Sequence, residues 1–331
     1  MGDLPFEKFK REVLTRVKSE TSLKFGCDPY KRPIKEHLKY CVVNVDKPAG
    51  PSSHQVSAYV KQILKANKAG HSGTLDPNVT GILAVAVADG TRIVQTLLPA
   101  GKEYICLMHL HKEFDEQKLR SVIEKEFTGK IKQLPPVKSA IKRQWRFRKI
   151  YYFEILEIVG QDVLFKIGCQ AGTYIRKICS DIGGAMGCGG HMAELRRTKA
   201  GPFNEFNHLC TLQDLTDAMH YLKEGDESKI RELTRPVEEA VAHLPKIWVQ
   251  DTTVDTICNG ASLKVRGIAK VESDIQAGDL VAVMTLKNEL VCVGICPLIS
   301  KELIKNDKGV AVKSSQVFMR PGTYPRIEKN S

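Results

Sequence analysis

The chain contains no pair of cysteines at the two-residue spacing of structural zinc sites or redox dithiols. Its ten cysteines (27, 41, 106, 169, 179, 188, 210, 258, 292 and 296) are scattered. The closest two, Cys292 and Cys296, lie in an apolar, strand-like run and read as buried thiols. No metal is expected. Long hydrophobic runs are also missing: the longest, Ile82 to Ala88, falls far short of a membrane span. The N-terminus, Met-Gly-Asp-Leu-Pro-Phe-Glu-Lys, lacks the apolar stretch of a signal peptide. These absences point to a soluble protein of a reducing compartment. Acidic residues are in the minority, 38 against 50 Lys and Arg, for a net charge of +12. An excess of that sign suits a polyanionic partner without identifying it.

At 331 residues the chain exceeds what one hydrophobic core usually organises, so two domains are expected. Residues 1–40 are polar and broken by Pro5, Pro29 and Pro33, and read as an extension that packs on another part of the molecule. A globular unit begins at Cys41 with a short strand and the turn Asp46-Lys47-Pro48-Ala49-Gly50-Pro51. Ser52 and Gln55 have capping-box spacing, and Val56, Tyr59, Val60, Ile63 and Leu64 follow at helical period. Gly70 to Gly81 reads as an irregular loop ahead of the buried strand Ile82 to Ala88. Such a tethered loop is a good place for a site. Tyr104 to Leu110 is strand-like, Leu119, Val122, Ile123 and Phe127 mark a helix, and Tyr151 to Ile158 with Val163 to Cys169 predict a hairpin. Helices among antiparallel-looking strands argue for an α+β fold with a mixed, mainly antiparallel sheet. From Leu244-Pro245 the texture changes to short strands and glycine turns, as in a small β-barrel.

Three stretches could carry chemistry. Leu75-Asp76-Pro77 by itself reads as a turn, because an aspartate before proline often starts one. His71 by itself reads as a hydrogen-bonded loop histidine. The segment Lys138 to Lys149 holds Lys138, Lys142, Arg143, Arg146, Arg148 and Lys149 and no acid, interleaved with Trp145 and Phe147. Cations neutralise phosphates and aromatic faces stack on unpaired bases, so nucleic-acid contact is favoured over a solvated hairpin. Gly172 to Lys177 opens a helix whose Ile175, Ile178 and Ile182 face inward. Arg176 there is either a surface arginine or one that holds a carboxylate ionised and oriented.

Six ordered motifs then resemble those of TruB-type pseudouridine synthases: the segment from Asp46 to Ser53, Gly70 to Pro77, Lys102-Glu103-Tyr104, Pro135 to Ala140, Gly172 to Arg176, and Glu194 to Thr198. The part from Leu244 through Asn259–Lys270 and Gly278–Leu286 to Phe318–Gly322 resembles a PUA domain, an RNA-binding module. Together they are similar to the dyskerin-like branch, the catalytic subunit of H/ACA guide ribonucleoproteins. The resemblance implies an extension over 1–40 packed on the PUA domain, a catalytic domain over 41–243, a PUA domain over 244–325 and a tail over 326–331.

It further implies isomerisation of uridine to pseudouridine in rRNA and tRNA, without cofactor. Asp76 would be the essential carboxylate, acting as base or as nucleophile. Tyr104 would stack on the target uracil, Arg176 would pair with Asp76, Tyr174 and Leu195 would line the pocket, and His71 would support the displaced base. The basic segment falls where the family has a loop closing over RNA, and Gly260, Lys264, Gly267 and Lys270 would meet the guide RNA. The implied partners are an H/ACA guide RNA and small particle proteins, among them a kink-turn-binding protein, in an archaeal cytoplasm. A stand-alone tRNA synthase and a non-catalytic RNA-binding scaffold are the alternatives.

Overall fold

Prolines and mixed charge leave residues 1–40 without a core of their own, and the segment borrows from both neighbours instead. The computed structural model describes residues 2–136 and 142–326. In it β1 (Val13–Thr15) adds antiparallel to the edge of the C-terminal sheet, with Leu14 opposite Val271. Helix α1 (Ile34–His37) leads into the central sheet. Leu4 is fully buried, Lys199 reaches Glu7 at 2.9 Å, and Arg32 forms a two-pronged pair with Glu238 at 2.6 and 3.0 Å. The extension therefore grips the central unit as well as the C-terminal one.

The chain then runs through β2 (Cys41–Lys47), α2 (Ser53–Ile63), β3 (Ala69–His71), β4 (Thr80–Val87), α3 (Val94–Leu97) and β5 (Lys102–Leu110). It continues through α4 (Glu116–Glu126), β6 (Gly129–Gln133), β7 (Arg146–Val159), β8 (Asp162–Cys169), α5 (Ile175–Met186) and β9 (Gly190–Ala200). Ser52 and Gln55 close the expected capping box at α2. The sheet is mixed and mainly antiparallel, with β2, β4, β9, β5, β8, β7 and β6 side by side and β4 parallel to β9.

Strand β4 lacks polar alternation because both of its faces are covered. Leu83 and Val85 pack with Val56 and Val60 of α2, whereas Ile82, Ala84 and Ala86 meet Leu290, Val293 and Phe318 of the C-terminal unit. Further along, Cys106, Met108 and Phe165 bury against Ile175, Ile178 and Ile182 of α5, as the helical spacing predicts. Two local expectations are corrected. Gly70 and His71 belong to β3 rather than to a loop. Arg146 to Lys149 are not loop either: they extend β7 and pair with β6, Arg148 opposite Ile131. The alternation of Arg146, Phe147, Arg148 and Lys149 continues the strand's period of two.

The C-terminal sheet takes the order β1, Ile268–Glu272, Lys246–Val249, Leu280–Thr285, Leu290–Ile295, Val310–Val317 and Leu263–Lys264. Two short helices, Asp251–Cys258 and Ser300–Lys305, stand among what read as strands and turns alone. All ten cysteines are free, and Cys292 and Cys296 are buried.

His243 sits at the junction of extension, central unit and C-terminal unit. Its Nε2 lies 3.2 Å from the Thr96 carbonyl and its ring meets Phe6 edge-on at 6.1 Å. Burial pushes it down from 6.5 to about 4. Between those values the unfolded chain binds more protons, so stability is fully present above about pH 6.5 and is lost as pH falls towards 4. We predict that urea titrations at pH 7 and pH 4 show a drop for the parent exceeding that of His243→Gln by roughly 3 kcal/mol. Equal drops would remove His243 as a cause of acid sensitivity.

Candidate active site

The loop that leaves β3 is held almost entirely through its backbone. Ser53, the first residue of α2, accepts from the Leu75 N–H at 2.8 Å and donates to the Leu75 carbonyl at 3.1 Å. Lys47, fully buried at the end of β2, donates to the carbonyls of Pro48, Pro77 and Val79, each at 2.8 Å. Arg197, 1% exposed on β9, donates to the Ile82 carbonyl at 2.7 Å and the Gly73 carbonyl at 3.1 Å. Gly73 has φ +130°, and a Cβ on Gly81 would stand 2.2 Å from the Arg197 carbonyl oxygen, so both positions exclude larger residues.

Asp76 sits in this cradle. Its carbonyl closes a turn by accepting from the Val79 N–H at 3.0 Å, so the turn reading of the local sequence is correct as far as the backbone goes. The side chain does something else: its Oδ2 lies 3.0 Å from Arg176 Nε, the two side chains being 47% and 43% exposed. Arg176 is the second residue of α5. Just ahead of it the Tyr174 backbone is clamped by Gln133 of β6, which accepts from its N–H and donates to its carbonyl, both at 3.2 Å.

Asp76 and Arg176 line a cavity of about 700 Å³ together with Tyr104, Tyr174 and Leu195. Five cations, Lys102, Arg146, Arg148, Arg176 and Arg197, line it against one carboxylate. Such a wall attracts an anionic backbone while leaving a single acid in the lining. Lys102 is buried and donates to the carbonyls of Leu97, Leu98 and Ala100 at 2.7–2.9 Å. Burial, with Arg197 alongside, pushes it down to about 7, whereas three carbonyl acceptors favour the ammonium form. Burial raises the Tyr104 phenol above its ordinary value, so the ring is neutral.

His71 is brought near but not in. It is half-buried in β3, outside the cavity wall, and its Nδ1 lies 3.4 Å from the Gly73 amide. Burial and then Arg197 and His54 lower its pKa, which keeps the imidazole neutral. Of the basic segment, Arg146 and Arg148 form cavity wall, Lys142 and Arg143 are exposed beyond it, and Lys138 lies outside the described residues. The Nε of Arg146 is buried and has no hydrogen-bond partner among the described residues. Lys130 and Lys132 stand over the exposed rings of Phe147 and Trp145 at 4.4 and 4.9 Å.

In the C-terminal unit Gly260 (φ +89°) and Lys264 are exposed and Lys270 is partly so. Gly267 is buried, and a Cβ there would meet Thr253 at 2.6 Å. That glycine serves packing rather than an open surface.

Sequence reasoning missed the supports: Ser53, Lys47, Arg197, Lys102 and Gln133. The signal was present for two of them. In Asp46-Lys47 and Arg196-Arg197 one residue of each pair turns outward, where Arg196 binds Asp46 at 2.9 and 3.0 Å. The other turns inward to the loop, as strand alternation requires.

The chain resembles known proteins along most of its length. Residues 61–175 match the TruB family pseudouridylate synthase N-terminal domain and residues 176–242 the tRNA pseudouridylate synthase B C-terminal domain. Residues 3–57 match the DKCLD (NUC011) domain and 245–318 the PUA domain. Among curated relatives, probable tRNA pseudouridine synthase B of Methanopyrus kandleri is 54% identical over 98% of this chain and 95% of its own. That of Pyrococcus abyssi is 54% identical over 96% of both. The structure of a Cbf5-Nop10-Gar1 complex contains a chain that superposes with a TM-score of 0.93 at 50% identity, covering 98% of this chain and 99% of that one. An H/ACA RNP bound to a substrate RNA containing 2'-deoxyuridine contains one with a TM-score of 0.91 at 48% identity, covering 98% and 99%.

Replacing Lys47 by methionine strips three loop carbonyls of their donor at once. We predict for Lys47→Met a stability loss of roughly 3 kcal/mol and faster amide exchange across residues 72–79, with α5 unchanged. Hydrogen exchange read by mass spectrometry checks this, and an unchanged loop would show that Lys47 is dispensable to it.

Proposed function

The chain belongs to the TruB family of pseudouridylate synthases, and we propose that Asp76 performs the isomerisation on a uridine drawn into the cavity it lines. The observation that carries this reading is the Asp76–Arg176 contact of 3.0 Å, set in a wall of five cations opposite Tyr104. In the reaction the bond from uracil N1 to ribose C1' breaks, the base turns, and C5 bonds to C1'. C5 gives up its hydrogen and N1 gains one, so no redox partner is consumed. Asp76 acts on the ribose as base or on the sugar or base as nucleophile. Arg176 orients its carboxylate, and Tyr104 stacks on the uracil in place of the base's lost neighbours. Tyr174 and Leu195 shape the pocket, and His71 supports the loop from behind.

Arg146 and Arg148 serve the phosphates beside the target nucleotide, and the exposed Lys142 and Arg143 extend that track. Gly260, Lys264 and Lys270 offer the C-terminal unit to RNA, while Gly267 shapes the turn from within. The units are proposed as an extension over 1–40, a catalytic domain over 41–243 and a PUA domain over 244–325. The near-complete likeness to chains from H/ACA particles supports a guide RNA as the source of specificity, with small protein partners, rRNA and tRNA substrates and an archaeal cytosolic setting. No described helix is long and apolar enough to cross a membrane. The names of the curated relatives support tRNA as a substrate, and a guide-free activity on tRNA is the second reading. A non-catalytic scaffold would have no need of the joined Asp76, Tyr104 and Arg176.

Asp76→Asn is expected to lower uridine conversion by at least about 10²-fold while RNA binding persists, measured on target RNA with and without a matching guide. Conversion equal to the parent's would remove Asp76 from the mechanism. Conversion of tRNA alone, with guides without effect, would select the guide-free reading. In binding titrations against salt, the triple change Arg143→Ala, Arg146→Ala and Arg148→Ala should flatten the logarithmic slope by up to about 2, at about 0.7 per single-stranded phosphate contact. An unchanged slope would exclude these arginines from phosphate contact.

A further inference from the structure

Strand β6 alternates in the ordinary way up to its last residue. Lys130 and Lys132 stay in solvent, while Ile131 and Gln133 turn inward and are 6% and 4% exposed. A period of two asks for an apolar residue at 133, and an amide stands there instead. Burying an amide is costly unless both of its ends are bonded. Both are: the Gln133 carbonyl accepts from the Tyr174 N–H and its NH2 donates to the Tyr174 carbonyl, each at 3.2 Å. Two bonds to one residue fix the direction of that stretch of backbone as well as its position.

Tyr174 is the N-cap of α5, and its own side chain does not cap the helix. Its carbonyl starts the helical hydrogen bonding by accepting from the Lys177 and Ile178 N–H groups, both at 3.1 Å. Gln133 holds that same carbonyl from outside the helix. The approach to α5 is also stitched to β7: Lys149 N–H donates to the Gln170 side-chain oxygen at 3.1 Å, Gln170 N–H to the Lys149 carbonyl at 2.8 Å, and Arg148 Nε to the Gly172 carbonyl at 3.0 Å. Gln133 grips the chain two residues nearer to Arg176 than any of these.

We propose that Gln133 is a positioning residue for the isomerisation: by fixing the Tyr174 backbone it sets the first turn of α5, and so the distance and angle at which Arg176 meets Asp76. The inference rests on the reading that Asp76 and Arg176 carry the reaction. Their 3.0 Å contact is nearly half exposed on both sides, and an ion pair of that kind contributes too little to hold its own geometry. The backbones beneath it must do so. Ser53, Lys47 and Arg197 fix the loop under Asp76, and Gln133 fixes the start of the helix under Arg176. Gln133 touches neither side chain of the pair, and its effect on the reaction passes through Arg176.

The test uses the full chain on a target RNA that the parent converts, with kcat and KM measured separately for Gln133→Met and Gln133→Leu. The expected result is a kcat lower by about 10-fold, because a small misplacement of an active-site group costs that much or more, with KM within roughly twofold of the parent's. In an Arg176→Lys background Gln133→Met should cost less than about twofold, since the contact it supports is already altered. An unchanged kcat, a change confined to KM, or the full loss repeated in the Arg176→Lys background would overturn the proposal. So would the absence of a cooperative melting transition in both variants, which would make Gln133 a residue of the core. Asp76→Asn, run alongside, separates the two readings. If it converts RNA as the parent does, the functional reading fails; if it is inactive while both Gln133 variants turn over normally, only this inference does.

Discussion

Two buried cations hold the loop that carries Asp76, and the rest of the candidate site depends on them. Lys47 and Arg197 face backbone carbonyls rather than carboxylates. Burying a charge is costly unless hydrogen bonds replace the water it loses, and here the carbonyls do so. A carboxylate partner would have cancelled the charge. Carbonyls instead leave the cation's field in place beneath Asp76, and each bond fixes a point of the backbone. The arrangement sets its own demands on sequence, because Arg197 can approach β4 only where Gly81 has no side chain.

Strands β2 and β4 form the spine to which everything else attaches. One face carries α2, and the other shares a core with the C-terminal sheet, so that unit is packed on the catalytic sheet rather than tethered to it. The N-terminal segment seals the joint through Arg32 and Glu238, and Glu238 also accepts from the Leu290 backbone at 2.9 Å. An RNA held by the C-terminal unit is thereby held at a fixed distance from Asp76.

Elements whose signals are local were legible in the sequence. The capping box of α2, the inward isoleucines of α5 and the strand β5 all rest on spacing within one segment. Asp76 became a candidate only through companion motifs, because its own three residues describe a turn and do form one. What remained hidden depends on side-chain direction between distant segments. Lys47 and Arg197 look like surface charges until β2, β4 and β9 are placed side by side, and Gly267 looks like an open turn until Thr253 is set against it. The strand character of Arg146 to Lys149 was not read from the sequence. The alternation was there, but the family resemblance placed a loop at these residues.

The double hydrogen bond between Gln133 and the backbone of Tyr174 joins two parts that sequence places 41 residues apart. Gln133 ends the strand that pairs with Arg146, and Tyr174 precedes the turn of helix that presents Arg176. The basic hairpin and the helix turn that carries Arg176 are thus tied through one glutamine side chain. The strand that bears Arg146 and the arginine facing Asp76 share a single anchor, so the loss of that side chain would free the Tyr174 backbone at the point where the two segments meet.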